Sequence, residues 1–162
     1  MRNAIAVAAF LLINCAGYAE KSNPSSGADE FIRQVVQSLI EDEHKVAFEV
    51  AEKVFAIDNG EVLSKEDFKK AWPEFGKIAF KKKVSMDEFF RDVELQVSSP
   101  LDNKRLMSNK RLLAVYKHQD GDVYCDASHV KDGVENFIAY DKAFLYIIRR
   151  IEGKWTLIGI GG

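Results

Sequence analysis

The sequence predicts an α+β domain in which helices come first and an antiparallel sheet then covers them, and three observations carry that prediction. Between Ala28 and Phe80, apolar residues recur at the spacing of amphipathic helices. From Val93 onward the apolar period shortens to two, as in Val93-Glu94-Leu95-Gln96-Val97. The later strand-like runs are separated by Asp120-Gly121 and Glu152-Gly153, dipeptides suited to tight hairpin turns. Helices followed by strands, without regular alternation, is the order of an α+β domain.

Residues 1–19 read as a signal peptide and stand outside that domain. Arg2 supplies the positive charge, Ala4 to Ile13 form a short apolar core, and Ala16-Gly17-Tyr18-Ala19 offers small residues for cleavage before Glu20. The address implied is periplasmic or secreted. An alternative makes Cys15 the acylated residue of a lipoprotein, since Leu12-Ile13-Asn14-Cys15 has the outline of a lipobox, although Asn14 fits it poorly. Residues 20–27, rich in Ser, Pro and Gly, read as a flexible leader, and residues 28–162 as a single domain.

Ser26 and Asp29 form a capping-box pair that starts a helix expected from Ala28 to Ala56. Phe31, Val35, Leu39, Val46, Val50 and Val54 form its apolar stripe, with a break expected near Asp42. Asp58-Asn59-Gly60 ends it, because Asn-Gly takes the positive φ values of a turn. Ser64 with Asp67 opens a second helix, which Pro73 is expected to break at Trp72 before a restart through Phe75, Ile78 and Phe80. Lys81-Lys82-Lys83 reads as a solvated helix end, and Ser85 with Glu88 as another capping box. After the strand at Val93 a loop is expected from Ser98 to Asn109. Arg111 to His118 and Asp122 to Val130 then read as a hairpin about Asp120-Gly121, and Ala143 to Ile151 and Trp155 to Ile160 as a second about Glu152-Gly153.

The chain has 162 residues, 47% hydrophobic and 30% charged, with 11 Phe, 5 Tyr and 2 Trp. That is the composition of a globular domain. Loss of Arg2 with the signal peptide leaves a net charge near −3, one below the −2 of the whole chain. A weakly acidic surface draws neither nucleic acid nor an anionic membrane, so neither is expected as a partner. No apolar run of the mature chain approaches the roughly 20 residues of a membrane span. Of the two cysteines, only Cys125 remains after cleavage, so it is expected as a buried thiol without an intramolecular partner.

The order of long helix, broken second helix and sheet, closed by Tyr146-Ile147-Ile148-Arg149-Arg150-Ile151-Glu152-Gly153-Lys154-Trp155-Thr156-Leu157-Ile158, resembles the nuclear transport factor two-like superfamily. The resemblance implies a cone-like fold with a curved antiparallel sheet, whose mouth holds a small apolar ligand or a partner's side chain. That superfamily includes isomerases, dehydratases, hydrolases and non-catalytic binding domains, and its catalytic residues differ between branches, so none is transferred to this chain.

With a two-residue turn at Asp120-Gly121, the expected pairs are His118 with Val123, Tyr116 with Cys125, Ala114 with Ala127, and Leu112 with His129, all on one inward face. The second hairpin sets Arg150 opposite Trp155, Ile148 opposite Leu157 and Tyr146 opposite Gly159, with the Arg150 guanidinium over the Trp155 indole. A ligand site is therefore expected at Tyr116, Cys125, His129, Tyr146 and Trp155. Gly159 leaves room beside Tyr146 for backbone or ligand.

A Cys125–His129 nucleophile pair is disfavoured, because four residues along one strand separate the groups by about 13 Å. No metal site is expected: in this register Asp126 faces away from His118 and His129, and Glu41 with His44 lies in a charged stretch. No cofactor-binding loop or nucleophile elbow occurs. The function expected is an exported, non-enzymatic binding domain for a small apolar molecule or a segment of another exported protein. One alternative is a periplasmic inhibitor or immunity-type protein acting through the Ser98–Asn109 loop. Another is an isomerase or hydrolase with an Asp or His base beside a Tyr, for which Asp126 and Asp141 qualify only if the strand registers are shifted by one.

Overall fold

A computed structural model of the chain describes residues 26–41, 48–139 and 144–161. The expected signal peptide with Cys15, the expected leader up to residue 25, the expected break near Asp42, and His44 and Asp141 lie outside the described residues.

Helix α1 spans Ala28–Ile40 and buries Phe31, Ile32, Val35, Val36 and Leu39 along one stripe. Its N-cap is Gly27 without a side-chain cap, so the Ser26–Asp29 capping box does not form, and Asp29 and Glu30 complement the positive end of the helix instead. The expected helix to Ala56 is also corrected. Residues Val50–Ala56 form strand β1, in which Val50 and Val54 are buried. The four-residue spacing of those valines fits a helix, but β-branched Val suits a pleated surface better, and β1 is held by strands on both sides.

Asp58-Asn59-Gly60 turns β1 into strand β2, Val62–Ser64. Asn59 Oδ1 accepts from the Glu61 N–H at 2.8 Å. Gly60 has φ +73°, and a Cβ there would lie 2.5 Å from the Arg111 carbonyl oxygen, so both the turn and its close approach require glycine. Ser64 caps helix α2, Lys65–Ala79, by accepting from Asp67 N–H. Pro73 lies inside α2 without breaking it, contrary to the expected break at Trp72. The proline forfeits one backbone bond, and the burial of Phe68, Trp72 and Ala79 along that helix outweighs the loss. Helix α3, Met86–Asp92, starts with the expected capping box of Ser85 and Glu88.

Strand β3, Val93–Ser98, forms as expected, with Val93 buried and Leu95 half-buried, but Val97 is exposed, beyond a register shift between Glu94 and Gln96. The segment read as a loop contains a 3-10 turn, Pro100–Asp102, and a short helix α4, Lys104–Ser108. Residues Lys110–Val115 are helix α5, not a strand, because Asn109 caps it by accepting from the N–H groups of both Arg111 and Leu112. Asp120-Gly121 is a turn, with Gly121 at φ +89°, but it joins a non-helical segment to strand β4, Val123–Val130. The hairpin expected there, and its four residue pairs, are overturned: β4 pairs with β3 and with strand β5, Leu145–Ile151.

β5 and strand β6, Lys154–Gly161, form the second expected hairpin, turning at Glu152 and Gly153, both with positive φ. Arg150 faces Trp155 and Ile148 faces Leu157 as read from sequence. A bulge then shifts the register, so Tyr146 faces Ile160 and Ile147 faces Gly159. Phe55 packs where a Gly159 side chain would be, in the smaller core with Ile147, so Gly159 leaves no room beside Tyr146, which lies in the larger core on the other side of the sheet.

The fold is α+β. Its six strands run in the order β2-β1-β6-β5-β4-β3, antiparallel except for the parallel β1–β6 pair. A larger core joins α1, α2 and α3 to Val123, Cys125, Ala127, Tyr146, Ile148 and Leu157 of the sheet. A smaller core on the other side joins Leu106 of α4, Leu112 of α5 and Tyr116 to Phe55, Tyr124 and Ile147.

Candidate functional site

The five residues expected to share one site are dispersed. Cys125 and Tyr146 face one another across β4 and β5, and both are fully buried in the larger core. Burial pushes the Cys125 thiol up to about 12 and raises the Tyr146 phenol well above its ordinary value. The Tyr146 hydroxyl is buried and has no hydrogen-bond partner among the described residues. Tyr116 lies in the smaller core, at the C-terminal end of α5. His129 is exposed and pairs with Glu94 of the edge strand β3. Trp155 is half-buried, with the Arg150 guanidinium 4.8 Å from its ring centre. Ser26 O accepts from Trp155 Nε1 at 3.0 Å and from Arg150 Nη2 at 2.6 Å, so the cation-π pair also holds the start of the domain.

Two other places carry the features of sites. The first is an apolar cleft of about 160 Å³ where α2 meets the β1, β2 and β6 side of the sheet. Leu63, Phe68, Ala71, Trp72, Phe75 and Ile160 line it. Trp72 is fixed from behind: its Nε1 donates to Ser38 Oγ at 2.8 Å, and that hydroxyl donates to the Val35 carbonyl at 2.7 Å. The rings of Trp72 and Phe75 stack at 5.6 Å with an 18° interplanar angle, and Phe68 lies 5.0 Å from the indole centre. The aromatic wall is thus built before anything enters.

The second is a polar cluster on the opposite side of the sheet. Asp122, immediately before β4, has a fully buried carboxylate. It accepts from Arg149 Nε at 2.7 Å on one oxygen, and from Arg149 Nη2 at 2.8 Å, Tyr116 Oη at 2.8 Å and Gln119 N–H at 3.0 Å on the other. Burial pushes the Asp122 carboxyl up, but these donors outweigh it and hold the group below its ordinary value. The same burial, with the anion beside it, raises the Tyr116 phenol, so it stays neutral and donates. Arg149 also donates to the Lys117 carbonyl at 2.7 Å, tying the segment after α5 to β5.

Asp122 and Arg149 were not among the residues picked out from sequence. One signal was available. Placing Arg150 over Trp155 forces Arg149 to the opposite side of β5, next to Ile147 on a buried surface, where an arginine needs an acidic partner. Asp126, considered as a base, accepts from the Ser128 N–H and hydroxyl at 2.9 and 2.6 Å within its own strand.

Among the described residues, no three His, Cys, Asp or Glu side chains are placed to hold a metal ion, and no helix is long and apolar enough to cross a membrane. No protein-family model, curated protein or solved structure matches the chain.

Proposed function

We propose that this chain is an exported, non-enzymatic binding domain that takes one ring-sized apolar group, free or carried by a protein partner, into the cleft between α2 and the sheet. The observation that carries the reading is the cleft itself. At about 160 Å³ it is of the same size as an apolar cavity of about 150 Å³ that holds benzene. Its wall is apolar and preformed, which lowers the ordering cost of binding. The occupant enters between the exposed Ala71 and the half-buried Phe75 and meets the edge of the buried Trp72, away from Cys125 and Tyr146, which are sealed in the core. The signal-peptide pattern of residues 1–19 supports export; of the expected likeness to nuclear transport factor two-like binding domains the α+β class is retained, whereas the first helix ends at Ile40 and the second is unbroken.

The test uses the two tryptophans. In a Trp155→Phe background, Trp72 alone reports, and toluene is expected to change its fluorescence saturably. Ala71→Phe, which fills the cleft from an exposed helix position, is expected to abolish the response while leaving the far-UV circular dichroism unchanged. A parent protein with no saturable response overturns the proposal. Cleavage before Glu20 in protein recovered from a periplasmic fraction tests the export part.

A further inference from the structure

The polar cluster fixes the direction of a hydrogen-bond chain, and that direction reaches an open groove. Asp122 is an anion and only accepts. The single Tyr116 hydroxyl proton is therefore committed to Asp122 Oδ2, 2.8 Å away. His118 Nδ1 lies 3.1 Å from the same hydroxyl oxygen, which has only lone pairs left to offer. Nδ1 must then carry a proton and donate. In the neutral imidazole this leaves Nε2 as a bare acceptor.

His118 is 22% exposed and lines a groove of about 410 Å³ with Val97, Ser98, Leu101 and Val123. Leu101, 52% exposed, and Val97 offer apolar surface at its rim, the exposed Asp120 borders it, and Asp122 lines it with its carboxylate buried behind the wall. Acidic neighbours disfavour an anionic ligand, and an acceptor-only imidazole disfavours a ligand that only accepts.

We propose that this groove is a second binding site, separate from the α2 cleft, for a neutral apolar ring bearing one N–H donor, with the donor given to His118 Nε2 and the ring laid on Val97 and Leu101. Tyr116, Asp122 and Arg149 act as positioning residues, since they set the imidazole tautomer without touching the ligand. Indole, which donates and does not accept, is the matching probe. The chemistry is the same whether the ring is a free heteroaromatic or a tryptophan side chain.

The experiment combines two nuclear magnetic resonance readouts at pH 8. Imidazole ¹⁵N shifts are expected to show His118 protonated at Nδ1 and bare at Nε2, and a bare Nδ1 overturns the chain. Titration with indole is expected to shift the methyls of Val97 and Leu101 about tenfold more tightly than 1-methylindole, the difference one hydrogen bond makes. His118→Leu, at a partly exposed position outside helix and strand, is expected to bring indole down to the affinity of 1-methylindole. Equal binding of the two probes by the parent, or shifts confined to the Leu63 and Ile160 methyls of the α2 cleft, overturns the site. An Ac-Trp-NH₂ titration distinguishes the sources: binding equal to indole admits a peptide-borne ring, and failure beside successful indole binding restricts the site to free heteroaromatics.

Discussion

Tyr116 and Tyr146 are both almost completely buried, one on each side of the same sheet, and their hydroxyls have opposite fates. Tyr146 enters the larger core, where its hydroxyl has no partner among the described residues. Tyr116 enters the smaller core, where its hydroxyl joins an anion, an imidazole and, through the anion, a guanidinium. The larger core is wide enough to absorb one unsatisfied group among Trp, Phe, Ile and Leu side chains. The smaller one is a thin layer under α4 and α5, and there a buried charge is tolerable only because each carboxylate oxygen has donors. Burial on one side is a matter of volume, and on the other of pairing.

Volume predicts the largest effect. Trp72→Ala removes an almost fully buried ring that contacts Phe48, Phe68 and Phe75 and leaves Ser38 Oγ without its donor. A loss of about 3–5 kcal/mol is expected by urea denaturation. A smaller loss than that for Arg149→Leu would break the comparison by making pairing the stronger determinant.

Pairing predicts the next. Arg149→Leu strands a buried carboxylate, for which about 3 kcal/mol is expected, the low end of the usual range because the Arg149 side chain is 19% exposed. Acid sharpens this. The folded Asp122 carboxyl lies below its unfolded value, so its stabilising contribution is whole above the unfolded carboxylate range, about 3.9, and is lost as pH falls through the folded value. Asp122→Asn is therefore expected to be less stable than the parent at pH 7, and the gap to shrink below about pH 4. A gap independent of pH between 7 and 2.5 would show that the Asp122 charge contributes nothing. Glu88 and Asp92, also held low by Ser85 and Arg91 respectively, are the same in both proteins and cancel.

The same contrast explains what was legible in the sequence. Features set by neighbours in the chain were readable: the Ser64 cap, the Ser85–Glu88 capping box, and the Glu152-Gly153 turn that places Arg150 over Trp155. Residues 110–118 were not, because Leu112, Ala114 and Tyr116 fit a period of two while Leu112 and Tyr116 fit a helical turn equally well. Asn109, which caps two N–H groups and donates to the Ile57 and Asp58 carbonyls, decides for helix through contacts about 50 residues away. Val50 and Val54 misled in the opposite direction, since a four-residue spacing is also every second pair in a strand. The Asp122–Arg149 pair spans 27 positions and brings together two elements whose register was itself the unknown. The candidate site at Tyr116, Cys125, His129, Tyr146 and Trp155 failed for that reason: once 110–115 is a helix, nothing brings Tyr116 to Cys125.

The two tyrosines supply the smaller effects, and their signs are expected to differ. Tyr116→Phe removes a donor to a buried anion and should cost about 1.5–3 kcal/mol. It also frees the His118 imidazole to exchange tautomers, which the ¹⁵N shifts report independently of stability. Tyr146→Phe removes only an oxygen that has no partner among the described residues, so the phenylalanine keeps the packing and discards a desolvation penalty. The expected change is neutral to stabilising, at most about 1 kcal/mol, in the same urea series. Because Tyr146 sits opposite Cys125, a loss of stability instead would mean that the hydroxyl is satisfied, and the buried Cys125 thiol on the facing strand is the partner to test. Cys125→Ala tested alone and together with Tyr146→Phe decides that point: strict additivity leaves the hydroxyl unpaired, and a non-zero coupling assigns its partner to the thiol.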